Sequence, residues 1–236
     1  MKKLDMLYEG KAKKVYKTND EELYIVNYKD DATAFNGKKK DIILGKGIIN
    51  NKMSNIIFKY LNDNGINTHF VKELNERETL VKKVEIISLE VIVRNIAAGS
   101  FTEKYGVPEG TKLNKPIIEF SYKNDSLNDP MINNSQIEAI GIATFQELEE
   151  ITENVKKVNK LLQKFFLEHN IILVDFKVEY GRSQNSILLA DEISPDTCRL
   201  WDKITKEKLD KDRFRRDMGN IKEAYEEVWN RIIQKK

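Results

Sequence analysis

The chain has little of what most often carries chemistry by itself. Its 236 residues include one cysteine, Cys198, and two histidines, His69 and His169. One cysteine excludes an intrachain disulfide framework and fits a reducing compartment. With no histidine placed to activate it, Cys198 reads as a small packed thiol. The histidines stand a hundred positions apart, so no zinc-type cluster is expected, and both read as surface or loop residues. Forty Lys and Arg against 38 Asp and Glu leave a net charge of +2. That balance offers no basic excess for nucleic acid. No run approaches the ~18 apolar residues of a membrane span. The start, MKKLDMLYEG, has no apolar stretch after its lysines, so no signal peptide is expected, and the cytoplasm is the expected location. There is no G-x-x-x-x-G-K-[ST] loop and no G-x-G-x-x-G turn, so a nucleotide would have to be held another way.

What is there suits one large domain or two small ones, with 40% apolar and 33% charged residues. Residues 6–35 read as strands, 36–47 as a polar, glycine-bearing loop, and 48–64 as a helix. Met53, Ile56, Ile57, Tyr60 and Leu61 set that helical spacing, and Gly65 sits where its C-terminal cap belongs. Short strands follow in THFVKEL, ETLVKKVEII and LEVIVRNIA. Thr144 and Glu147 form a T-x-x-E capping box, and an apolar stripe then runs from Phe145 to Phe166. Residues 211–234 repeat the helical pattern. Strands first, then strands mixed with helices, indicate an α+β fold. The boundary is expected between a sheet-rich lobe, 1–85, and a mixed lobe, 86–236.

Five segments could carry chemistry. In LVDFKVEY, alternation puts Val174, Phe176, Val178 and Tyr180 on one face and Asp175, Lys177 and Glu179 on the other. The partner run ILLADEIS places Asp191 and Glu192 within an apolar strand. Such charges are costly unless paired or holding a cation, which suggests a metal and phosphate site. With no zinc-type cluster, the metal would have oxygen ligands, hence Mg²⁺. Near the start, Lys11 and Lys13 share one side of an extended strand at roughly 7 Å and suit a polyphosphate; a lysine-protected edge strand would look the same. In VRNIAAGSF, Ser100 and Glu103 match a capping box, and Arg94 could grip an anion at the helix start; a plain capped helix also fits. Lys123, Asp125 and Asp129 lie in a turn-rich loop. Asp196 and Arg199 lie in SPDTCRLWD, in a loop off the charged strand.

Taken together, GKAKKVY, LVKKVEIISLEVIVRNIAAGS, KNDSLNDPMI, LVDFKVEYG and LLADEISPDTCRLWD followed by DKDRFRRDMG resemble the SAICAR synthetase family in order and spacing. The match is to its short bacterial single-function form and covers essentially the whole chain. The resemblance implies a two-lobed α+β fold related to the ATP-grasp and protein-kinase nucleotide lobes. Its antiparallel sheets would carry long flanking helices. It implies an ATP-driven ligase of purine synthesis joining 5-amino-1-(5-phosphoribosyl)imidazole-4-carboxylate (CAIR) to L-aspartate, with Mg²⁺ and an acyl-phosphate intermediate. Residue by residue, it assigns Lys11 and Lys13 to ATP phosphates, and Ala12 and Val15 to the nucleotide wall. Lys82 to Ile86 would meet adenine, and Glu179 and Asp191 would hold Mg²⁺. Lys123 would approach the nucleotide. Arg94, Ser100 and Arg199 would grip the CAIR phosphate, and Asp129, Asp175, Lys177, Asp196 and Arg215 would line the CAIR and aspartate region. Some relatives have aspartate at the position of Asn36, so a metal-ligand role there is put in doubt. A homodimer is the expected assembly. The rivals are a small-molecule kinase and a non-catalytic nucleotide-binding module.

Overall fold

The computed structural model describes residues 1–34, 38–184 and 186–234. Strands β1 (Lys3–Glu9), β2 (Lys13–Thr18) and β3 (Leu23–Tyr28) lead into a ribbon of β4 (Asp31–Ala34) and β5 (Lys39–Ile42). Helix α1 (Lys46–Asp63) and strands β6 (Phe70–Asn75) and β7 (Glu78–Lys82) follow. Next come β8 (Glu85–Ile86), β9 (Leu89–Ile96), α2 (Ser100–Tyr105), β10 (Lys112–Tyr122), β11 (Met131–Ile132), α3 (Asn134–Ala139) and α4 (Phe145–Glu168). The chain ends with β12 (Ile171–Ser183), β13 (Ser186–Ala190), β14 (Cys198–Asp202), α5 (Asp212–Arg215) and α6 (Ile221–Ile233).

The strands form a five-stranded antiparallel sheet, β1-β2-β3-β7-β6, and a seven-stranded one in which β11-β10-β9-β12-β13 is extended by β8 and β14 on β12. Long β12 is thus the spine of the larger sheet. Leu148, Ile151, Val155, Val158, Leu162 and Phe166 of α4 are buried in the main core, as their helical spacing requires. Thr144 and Glu147 close the expected reciprocal cap, each side chain meeting the other's backbone N–H. Met53, Ile57, Phe58 and Leu61 bring α1 into the same core. Among the described residues, the small sheet has Val26, Tyr28 and Val81 as a buried cluster of its own, with Val15 and Tyr24 against it.

Several expectations are corrected. The segment 36–47 is not all loop: β5 pairs with β4 there, while Asn36 itself lies outside the described residues. The terminal helix is broken, because Asp217, Gly219 and Asn220 all adopt positive φ between α5 and α6. Ser100 is the first helical residue rather than the cap; Gly99 occupies the cap position and no side chain caps it. Arg199 belongs to β14, not to a loop. Asp191 lies just past the end of β13, with φ 66°. His69 is buried against Phe58, not at the surface.

The facing of β12 also departs from simple alternation. Leu173 pairs with Leu200 and Asp175 with Arg199, so Val174 is an extra residue, a β-bulge. Before it, Ile171 and Leu173 face the main core; after it, Phe176, Val178 and Tyr180 do. Val174 packs instead with Ala98 and Trp201. The bulge shifts the phase by one, leaving Asp175, Lys177 and Glu179 together on the opposite face.

Candidate active site

A cavity of about 680 Å³ opens beside that charged face, walled by residues of both sheets. Of the residues assigned above, Lys11, Ala12, Lys13, Val15, Lys82, Ile86, Arg94, Ser100, Lys123, Asp129, Asp175, Lys177, Glu179, Asp191, Asp196, Arg199 and Arg215 lie on its wall, whereas within the stretch from Lys82 to Ile86 the lining skips Lys83 and Glu85. The small sheet contributes an apolar stretch, Val15, Tyr24, Val26 and Val81, all of which belong to its own cluster. At its rim, Lys11 reaches across to Asp125 at 2.6 Å, joining the β1–β2 turn to the β10–β11 loop.

One part of the cavity gathers lysines and carboxylates. Lys123 donates to Glu179 at 2.6 Å, and Lys177 donates to Glu90 at 3.0 Å and to Glu179 at 3.2 Å. Lys13 pairs with Asp191 and lies 3.1 Å from Glu192. Burial works against the Lys177 ammonium, but Glu179, Asp191 and Glu90 outweigh it and hold its pKa above the usual lysine value. Burial likewise pushes the Asp191 carboxyl up, yet Lys13, Lys177 and Lys123 keep it well below the usual carboxylate range. Among the described residues no three His, Cys, Asp or Glu side chains form a metal cage. Glu179 and Asp191 nonetheless both lie within 3.9 Å of the Lys177 ammonium, so one cation already bridges them. Two such carboxylates are oxygen donors of the kind Mg²⁺ takes, and they are the residues that would hold it.

A second group is built on Asp175. Its Oδ2 accepts from Arg94 at 3.1 Å and Arg199 at 2.8 Å. Arg94 also donates to Glu119 at 2.5 Å and to the Ser100 hydroxyl at 3.5 Å. Arg199 and Arg215 share Asp212, at 2.8 and 2.6 Å. Burial pushes the Asp175 carboxyl up, and the two guanidiniums pull it back without fully offsetting that rise. Gly99 makes the arrangement possible, since a Cβ there would sit 2.2 Å from Arg199 Nη2. Arg94 and Ser100, six residues apart, therefore converge with Arg199, which is about a hundred positions further on.

Asp196 is held on both oxygens. Lys46 donates to Oδ2 at 2.7 Å and the Tyr225 hydroxyl to Oδ1 at 2.6 Å. Lys211 stands 3.7 Å away on the cavity wall. Burial depresses the Lys211 pKa despite Asp196, with Lys46 and Arg215 adding repulsion. Asp129 is a turn residue at φ 47°, and its carboxylate accepts the Asn124 N–H at 2.8 Å.

His69 and Lys211 line the cavity without having been assigned a place there, and Glu192, named with Asp191 as a charge suggesting a metal and phosphate site, lines it without an assigned role. Burial and the nearby Lys13 push the His69 pKa down to about 3, so its imidazole is neutral. A lone histidine carries no spacing signal. Glu192 was visible as a second carboxylate beside Asp191, and Lys211 as part of the run DKDRFRR, but neither pattern indicates direction.

The family model described as SAICAR synthetase matches residues 6–232. The phosphoribosylaminoimidazole-succinocarboxamide synthase of Lachnoclostridium phytofermentans is 60% identical over 98% of this chain and 99% of its own length. A crystal structure of the synthase of that name from Ehrlichia chaffeensis superimposes with a TM-score of 0.95 at 48% identity, covering 97% of this chain and 98% of that one. A SAICAR synthetase solved in complex with ADP superimposes at 0.93, with 48% identity and 97% of each chain covered. A two-sheet cavity with these charges, in a chain matched end to end at such identity, has one account: the chain belongs to the SAICAR synthetase family.

Proposed function

We propose that the chain is an ATP-dependent ligase that joins CAIR to L-aspartate, releasing SAICAR, ADP and phosphate in purine biosynthesis. The observation that carries this reading is the cavity itself. It sets a lysine–carboxylate group beside an arginine–carboxylate group on one wall, in a chain of this family. The relative solved with ADP supports nucleotide use.

A carboxylate is a poor acyl donor, so the chemistry needs activation. A CAIR carboxylate oxygen attacks the γ-phosphorus of ATP, the bond to ADP breaks, and an acyl phosphate forms. The aspartate nitrogen then attacks the acyl carbon and phosphate leaves. Transfer between anions requires cationic clamps more than a protein nucleophile. Lys11 and Lys13 hold the ATP phosphates, and Lys123 and Lys177 offset charge as the phosphoryl group moves. Glu179 and Asp191 are the residues that would hold Mg²⁺, which supplies neutralisation of phosphate charge. The base lies against Ala12, Val15 and the crossing from Lys82 to Ile86. Arg94, Ser100 and Arg199 grip the ribose phosphate of CAIR. Asp175 keeps both guanidiniums in place, and Asp129, Asp196 and Arg215 border the CAIR and aspartate region. The chain divides into lobes 1–85 and 86–236, assembles as a homodimer and works in the cytoplasm.

The test is ADP release with CAIR, aspartate and ATP, omitting each in turn. Product should require all three. ADP release that continues at full rate without aspartate would instead indicate a kinase.

A further inference from the structure

Glu192 is a buried charge on the cavity that the scheme above leaves unused. It is 2% exposed, yet it borders the cavity. Its Oε1 accepts from the Ser194 hydroxyl at 2.9 Å, and that same oxygen of Ser194 accepts the Asp196 N–H at 3.1 Å. Its backbone carbonyl accepts from Thr197 Oγ1 at 3.2 Å. The intervening Ile193 N–H is tied to Ser54 of α1 at 3.2 Å. Its Oε2 makes no hydrogen bond among the described residues, and lies 3.1 Å from the Lys13 ammonium.

The backbone explains how two successive carboxylates reach one ammonium. In an extended strand Asp191 and Glu192 would point to opposite faces. Asp191 at φ 66° turns the chain into the left-handed region, so both meet Lys13. They are not equivalent. The Asp191 side chain is 17% exposed and open to the cavity, whereas that of Glu192 is 3% exposed and anchored by Ser194. A ligand that engages Asp191 leaves Glu192 as the anion still facing Lys13.

We propose that Glu192 is a positioning residue: one oxygen aims the Lys13 ammonium at the transferring phosphoryl group, and the other fixes the turn that carries Asp196. It rests on the ligase reading above and links that reading's two halves through a single side chain.

Glu192→Gln keeps an oxygen for Ser194 and removes the charge facing Lys13. In this variant kcat should fall at least about tenfold, while the Kd for ADP, measured by calorimetry in EDTA, stays within about threefold or tightens. Removing a negative charge near the phosphates favours binding, so the loss should appear in turnover. Ser194→Ala cuts the other arm; the KM for CAIR should rise about fivefold with ADP affinity within about twofold. Unchanged kcat in Glu192→Gln overturns the proposal. So does weakening of ADP and CAIR together with a fall in Tm, which marks a merely structural role. If Glu192→Gln does not fold, Glu192→Asp retains the charge but withdraws it by one methylene, and the same split should appear in smaller size. A parent chain that makes no product from CAIR, aspartate and ATP refutes the ligase reading itself, a result that is independent of either variant.

Discussion

At Asp191 three lysines converge on one carboxylate held in a left-handed turn. Asparagine tolerates that backbone and keeps the shape, so Asp191→Asn should fold while losing at least ~10²-fold in kcat. Near-normal turnover would remove Asp191 from the chemistry. Gly99 tests the other group. Alanine there meets Arg199 Nη2 and also strains a φ of 55°. Gly99→Ala should raise the KM for CAIR about tenfold and leave the KM for ATP within about twofold, as read from initial rates. Equal effects on both would count against an anion grip at Arg199. Only part of this candidate site stood out in the sequence as charge in unlikely places, and the other assignments came from the family resemblance. Asp175, Lys177 and Glu179 stood out because β12 is otherwise apolar. Their partners did not, because contacts such as Lys46 with Asp196 span 150 positions with no local pattern.

Among the elements, α4 was readable to its first residue, because a capping box is a local interaction. Glu147 does more than cap. Hydrogen bonds from Arg182, reinforced by the Thr144 backbone, overcome burial and lower its pKa to about 2. A carboxyl lowered in the folded state stabilises above its unfolded value, near 4.5, and loses that contribution as pH falls toward 2. Glu147→Gln should therefore melt about 2–4 °C below the parent at pH 7, for a loss of about 1 kcal/mol. The gap should close between pH 5 and pH 2 in thermal scans. A gap independent of pH would mean that the charge contributes nothing. Other elements were hidden for physical reasons. Ser100 matches the capping pattern but sits one residue late, because Gly99 takes the cap position. The bulge at Val174 leaves no mark in composition, yet it reverses which parity of β12 faces the core. The break between α5 and α6 rests on Asp217, Gly219 and Asn220, whose positive φ interrupts a spacing that otherwise continues.

Across the whole molecule, α1 is the link between the sheets. It follows the separate β4–β5 ribbon in sequence, but Met53, Ile57 and Leu61 lie in the core shared with α4 and β12. Leu61→Ala should cost about 2–5 kcal/mol. Hydrogen exchange should then show β3 and β9 losing protection together. Loss confined to one sheet would mean that the lobes unfold separately. The α+β class followed from the order of strand-like and helical segments, and the antiparallel sheets from the family resemblance. The meeting of all the charged segments at one cavity did not, since it depends on tertiary pairing around β12. The small sheet carries a last consequence. Val15, Tyr24 and Val26 are at once its interior and the cavity's lining, so its hydrophobic layer has protein on one side and solvent on the other. A flat aromatic base would be the missing course of that masonry. On the proposed reading a nucleotide bound there would cover that layer, and ADP should raise the melting temperature of the protein.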